Sequence, residues 1–204
     1  MDDETAPSDA ELMLLVQQGD AAAFEALMDR YKRPVLNLVY RFIRDATEAE
    51  DIAQAVFIQA YKAADRYRLT AKFSTWLFTI ARNLSLNEIR RRKRHPADSL
   101  DADPSGEESR ESRQIPDASA KTPLESAVDR ELVEVIKATL DELPEQQRSA
   151  IVLYREQGLP YEEIGAILGV SLSAVKSMIH RGREVLKSRI KPYLSEGNWE
   201  KKSP

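Results

Sequence analysis

Ser173, Lys176, Ser177, His180 and Arg181 fall three and four residues apart, the repeat of one helix face. Hydroxyl, imidazole and cationic groups on a single stripe suit a DNA major groove, where they can meet base edges while the cations neutralise phosphates alongside. A second set lies upstream. Asn83 and Asn87 stand one turn apart, with Arg90 and Arg91 following. Asparagine amides pair with base edges and arginines hold the backbone. Of the nearby aromatics, Tyr67 and Phe73 sit at a loop and can stack on unpaired bases, whereas Trp76 and Phe78 are expected in the core. Catalytic chemistry is poorly supplied. The two histidines, His95 and His180, have no metal-ligand spacing, no H-E-x-x-H occurs, and the seven glycines form no phosphate-binding fingerprint. Cysteine is absent, so disulfides, thiolate catalysis and cysteine-ligated zinc are excluded. Glu107-Glu108 and Glu162-Glu163 are explained by solvation and helix polarity. No catalytic residue, metal site or cofactor is expected.

The elements that must position these residues are helices. From Tyr161 to Lys187 the sequence YEEIGAILGVSLSAVKSMIHRGREVLK reads as a helix-turn-helix. Gly169 marks a turn that needs positive φ. Ser171 can cap the next helix through its hydroxyl, and Leu172, Val175, Ile179 and Leu186 fall on its inner face. Ahead of this motif, SAVDRELVEVIKATLDEL is amphipathic, Pro144 suits the first turn of a helix, and Gly158 closes that helix.

The N-terminal part also reads as helical throughout. Ser8 or Asp9 caps a first helix carrying Leu12, Leu15 and Val16. A second begins at Ala21, and Pro34 predicts a kink or restart before Leu36. Thr47 and Glu50 form the pattern of a capping box before an amphipathic stretch. Its inner side is Ala49, Ile52, Ala53, Val56, Phe57, Ala60, Tyr61 and Ala64, and its outer side is Asp51, Gln54, Ala55, Ile58 and Gln59. Ile58 on that outer side hints at a partner surface, although one exposed isoleucine by itself needs no explanation. A long helix, FSTWLFTIARNLSLNEIRRRKR, follows, with Arg82, Asn83, Asn87, Arg90 and Arg91 towards its outer side, and ends in cations that also complement its carbonyl end.

Charge is segregated within a net of −4. Residues 1–29 hold eight acidic residues and no Lys or Arg, residues 82–95 carry a net of +5, residues 96–125 a net of −5, and residues 176–191 again +5. Phosphate contacts act within a Debye length of ~8 Å, so such blocks outweigh the sum. Residues 96–124, rich in Pro, Ser and acidic side chains, offer too little apolar surface to offset ordering entropy. The expected organisation is all-α, with helical domains at 8–95 and 125–195 joined by a flexible acidic linker at 96–124. No apolar run approaches the ~20 residues of a membrane span, and the acidic start is unlike a basic signal peptide. A cytoplasmic location without membrane insertion is expected.

A stand-alone, dimeric operator-binding regulator could use the same helix-turn-helix, and a sequestering interaction protein could carry basic patches incidentally. The combined order of GDAAAFEALMDRY, EAEDIAQAVFIQAY, FSTWLFTIARNLSLNEIRRRKR and LDELPEQQRSAIVLYREQGLPYEEIGAILGVSLSAVKSMIHRGREVLK instead resembles RNA polymerase sigma factors of the extracytoplasmic-function group, within the sigma-70 family. The resemblance implies a factor, monomeric when free, that binds core RNA polymerase, reads −10 and −35 promoter elements, and is held in check by an anti-sigma factor. It places the polymerase on Asp51, Gln54, Ile58 and Gln59. It places the −10 strand on Tyr67, Phe73, Asn83, Asn87, Arg90 and Arg91, and the −35 duplex on Ser173, Lys176, Ser177, His180 and Arg181. The chain departs from the family pattern at Ala55, Pro160 and Met178, where a glutamate, a hydroxyl cap and an arginine are common. The resemblance also runs the acidic linker near the template strand and the RNA exit path.

Overall fold

The computed structural model describes residues 7–94 and 123–194, with no side-chain description for 123–130 and 194. His95, residues 96–122 of the acidic linker and the C-terminal tail lie outside these residues, and residues 123–124, expected in the linker, begin a helix. Among the described residues every regular element is helical: α1 (Asp9–Gln17), α2 (Ala21–Ile43), α3 (Ala46–Lys62), a 3-10 turn (Ala64–Arg66), α4 (Phe73–Arg94), α5 (Pro123–Glu142), α6 (Glu145–Gln157), α7 (Tyr161–Leu168) and α8 (Leu172–Leu194).

Local chemistry explains where the helices begin. Ser8 and Glu11 form a reciprocal capping box for α1: the Glu11 amide donates to Ser8 Oγ at 3.3 Å and the Ser8 amide to Glu11 Oε2 at 2.7 Å. Those bonds to Ser8 hold the exposed Glu11 carboxyl below the usual carboxylate range. Asp20 Oδ1 caps α2 by accepting from the amides of Ala22 and Ala23. The box expected at Thr47 and Glu50 is not the one used. α3 starts at Ala46, capped by Asp45, whose Oδ1 accepts from the Glu48 amide at 2.7 Å. An earlier aspartate competes well for the same orphan amides.

Pro34 likewise does not divide α2, which runs unbroken through it. Burial on both sides of the proline, at Leu27, Val35, Leu38 and Val39, outweighs the missing amide bond, and the Pro34 carbonyl accepts from Gln157 Nε2 at 3.2 Å. In α1 the inner face is Leu12, Met13 and Val16, and Leu15 is exposed.

α2, α3 and α4 pack mutually with α1 across one end, and α5 and α6 pack on α8 with α7 across the turn. The two groups meet where α4 touches α7 and α2 touches α6, and buried apolar residues form one cluster across that boundary. Gly169 ends α7 at φ 68°, and the Val170 amide donates to the Gly165 carbonyl at 3.0 Å. At Gly165 a Cβ would stand 2.9 Å from the Val170 carbonyl oxygen, which is backbone and cannot swing aside. Gly165→Ala is therefore expected to lower unfolding free energy by ~1–3 kcal/mol through overpacking, read as a shifted midpoint with unchanged slope in urea denaturation.

Candidate nucleic-acid and polymerase interfaces

α8 presents the cleanest surface. Ser171 Oγ accepts from the Ala174 amide at 3.3 Å and lies 3.0 Å from Ser173 Oγ, so hydroxyls fix the start of the helix. Val175 and Ile179 are buried against the preceding helices, which sets the rotation of α8. Ser173, Lys176, Ser177, His180 and Arg181 are all exposed on the opposite side. They form one polar, cationic stripe at the amino-terminal half of a long helix, the geometry that enters a major groove. Arg183, two residues on, is also exposed, and its guanidinium lies over the Tyr154 ring of α6, 5.1 Å from the centroid, in a cation–π contact.

The loop before α4 rests on an aromatic floor. Tyr31, Tyr67, Phe73 and Trp76 meet with centroids 5.3–6.1 Å apart, in tilted and edge-to-face arrangements. Tyr67 Oη donates to the Ala71 carbonyl at 2.8 Å and closes the loop on itself. Gln17 Nε2 donates to the Ala64 and Tyr67 carbonyls at 2.9 and 3.1 Å, which ties the loop to α1. Beneath it, Tyr31 Oη donates to Asp9 Oδ2 at 2.5 Å, and burial and that bond push the Tyr31 phenol well above its ordinary range. Burial raises Tyr67 in the same direction.

Along α4, Asn83, Asn87, Arg90 and Arg91 are exposed. Arg91 is paired with Glu88, Nε and Nη2 each at 2.9 Å, and Arg90 Nη2 donates to both oxygens of Glu145 at 3.0 Å. Arg82 is buried instead, with Nε donating to Ser149 Oγ at 3.2 Å and Nη2 3.6 Å from Glu145. Burial lowers its pKa, while Glu145 favours the charged form.

On α3, Asp51, Gln54, Ile58 and Gln59 share an exposed face, with Ile58 55% accessible. Gln54 and Ile58 border an apolar groove of about 630 Å³ between α2 and α3, lined also by Phe24, Met28, Leu36, Phe57 and Tyr61 and edged by Lys32 and Lys62.

Residues 27–95 match the family described as Sigma-70 region 2, and residues 134–186 match Sigma-70, region 4. The chain is 39% identical to the ECF RNA polymerase sigma factor SigW of Bacillus subtilis (strain 168), over 86% of this chain and 93% of that protein. It belongs to the extracytoplasmic-function sigma factors. The fold agrees. The structure of CnrH in complex with the cytosolic domain of CnrY superposes with a TM-score of 0.66 at 25% identity, covering 91% of this chain and 99% of that one. The sigma factor RpoE of Bartonella quintana, solved with the anti-sigma factor NepR, gives 0.59 at 26% identity, covering 82% and 96%. As a member of this family the chain is a promoter-directed initiation factor of RNA polymerase.

Within the sigma factor the sequence-predicted residues fall into three surfaces, with two corrections. Tyr67 and Phe73 do not offer faces to unpaired bases: they are 5% and 2% accessible and form the floor of the loop. What the loop presents outward is Arg66, Arg68, Leu69, Thr70, Ala71 and Lys72, with Leu69 56% accessible. Leu69 escaped sequence reading because a single leucine between polar neighbours has no periodicity to mark it. Arg82, expected beside the exposed asparagines, packs inward because α6 covers it. The α2 side of the groove, at Phe24 and Met28, was also missed, since both fit an inner helical stripe. Phe73→Ala is expected to cost ~3–5 kcal/mol of stability, while Leu69→Ala should stay within ~0.5 kcal/mol of the parent; chemical denaturation of both variants checks the contrast.

Proposed function

We propose that this sigma factor docks on core RNA polymerase through the α2–α3 face, with Asp51, Gln54, Ile58 and Gln59 as contact residues. The groove beside Ile58 supports this reading, because an exposed apolar patch rimmed by polar groups is the form of a protein-binding surface. Asn83, Asn87, Arg90 and Arg91, with the 66–72 loop, take the −10 strand. Tyr67 and Phe73 contribute to it by shaping the loop. Ser173, Lys176, Ser177, His180 and Arg181 take the −35 duplex. The working units are 8–95 and 125–195, joined by the acidic segment 96–124. The chain performs no catalysis of its own and works in the cytoplasm; among the described residues no helix is long and apolar enough to cross a membrane. An anti-sigma factor is a partner, as it is for the Bartonella relative.

The observation that carries this reading is the stripe on α8, where all five side chains predicted to touch duplex DNA are exposed while Val175 and Ile179 are buried behind them. The test is run-off transcription from fragmented genomic DNA with purified core enzyme. Discrete transcripts should require both components. Absence of transcripts, together with tight duplex binding without core, would instead support a stand-alone regulator. Ile58→Glu should weaken core binding by more than ~1 kcal/mol, about fivefold or more, without moving the melting temperature. Lys176→Ala and Arg181→Ala should each reduce the slope of log affinity against log salt by about 1 if the side chain meets a phosphate, measured by anisotropy on promoter DNA recovered from the run-off assay.

A further inference from the structure

A cavity of about 370 Å³ at the seam between α2 and the helices α5, α6 and α8 belongs to none of the surfaces described above. Its size is within the ~300–1,000 Å³ range of small-molecule sites. The walls are apolar: Ile136 and Leu140 of α5, Ile151 and Val152 of α6, and Leu186 and Ile190 of α8. Ile136, Leu140, Leu186 and Ile190 are only half-buried although they line the seam, so packing leaves apolar surface there incompletely covered. The charged residues on the lining are unbalanced. Arg41, Arg44, Lys137 and Arg155 stand against Glu156, the one acid among the described lining residues. Arg41 pairs with Glu156 at 3.1 Å, Arg44 Nη1 donates to Asp141 Oδ2 at 2.6 Å, and Lys137 Nζ donates to Glu134 Oε1 at 2.5 Å. Arg155 is different. It is exposed, and its guanidinium has no ion pair or hydrogen bond among the described residues. It lies three and four residues after Val152 and Ile151, hence on the same face of α6 as those walls.

We propose that this cavity binds a medium-chain carboxylate, with the hydrocarbon chain along the α5, α6 and α8 walls and the carboxylate on the Arg155 guanidinium. A guanidinium meets a carboxylate through two parallel hydrogen bonds. The other three cations already have partners, so one negative charge completes the site and a doubly charged head would leave a charge unmatched. The volume holds about twelve heavy atoms at the ~30 Å³ that a water takes in the liquid, which fits a ten-carbon acid. Bound there, the ligand touches α2 of one half and α5, α6 and α8 of the other, and it stabilises the fold in proportion to its occupancy. None of these residues is assigned to polymerase or promoter, so the site stands independently of those assignments.

The test is isothermal titration calorimetry of the full chain with decanoate below its micellar concentration. One saturable site is expected, with a Kd on the order of 0.1–1 mM for so small a ligand, and the melting temperature should rise with decanoate. Decylammonium should bind at least about tenfold more weakly, although the net charge of −4 would favour the cation on bulk attraction alone. Arg155→Gln should weaken decanoate binding by about five- to tenfold. Ile136→Trp, which fills the cavity, should abolish it. Met28→Glu, which charges the larger α2–α3 groove, should leave it unchanged. Lack of saturable binding up to about 5 mM, or equal affinity for decylammonium, would overturn the proposal. So would sensitivity to Met28→Glu with indifference to Arg155→Gln, which would put the chain in the other groove. If Ile136→Trp fails to fold by circular dichroism, Arg155→Gln, at an exposed position, decides.

Discussion

A guanidinium taken out of water must be paired, and Arg82 meets that demand only because α6 lies against α4. Its Nε finds Ser149 and its Nη2 faces Glu145. Breaking one side of such an arrangement leaves an uncompensated buried charge. The residue is predicted from its helical phase to face outward with Asn83. Placing it inward makes α4 of one half a supporting wall of the other. The apolar cluster continues across the boundary through the contacts of α4 with α7 and of α2 with α6, and Arg82 is enclosed beside it.

The two surfaces proposed to meet DNA are built on different principles. On α8, hydroxyl capping and the burial of Val175 and Ile179 orient a regular stripe, and the helix itself supplies the spacing. Around the 66–72 loop no repeat exists. Shape comes from beneath, from interlocked rings, a tyrosine hydroxyl closing the loop and a glutamine holding two of its carbonyls. Aromatic residues beneath such a loop can therefore serve as foundations, with small and charged side chains left at the surface.

That difference explains what could be read from the sequence. Periodicity located all the helices, the exposed face of α3 with Ile58 at its centre, and the five residues of the α8 stripe. Turn chemistry located Gly158 and Gly169. Reading failed where the deciding partner is remote in sequence. Nothing near Arg82 announces Ser149, nothing near Tyr67 announces Trp76 packed at a tilt beside it, and nothing near Pro34 announces Gln157 waiting for its carbonyl. Local signals also tie: Asp45 and Thr47 both make acceptable caps, and the choice between them falls to the packing of α3 rather than to the cap alone.

Arg44 is the only non-glycine residue at positive φ among the described residues, at 62°, a conformation that costs an L-residue ~1–2 kcal/mol. It ends α2 and stands just ahead of α3, the two helices that border the apolar groove, while its side chain grips Asp141 and the Lys137 carbonyl on α5. One residue thus joins a costly backbone geometry at the root of one surface to a grip on the opposite half of the molecule. Energetically the two are a single equilibrium: whatever pulls α5 away removes the compensation for that backbone, and whatever reshapes the α2–α3 junction loosens the hold on α5.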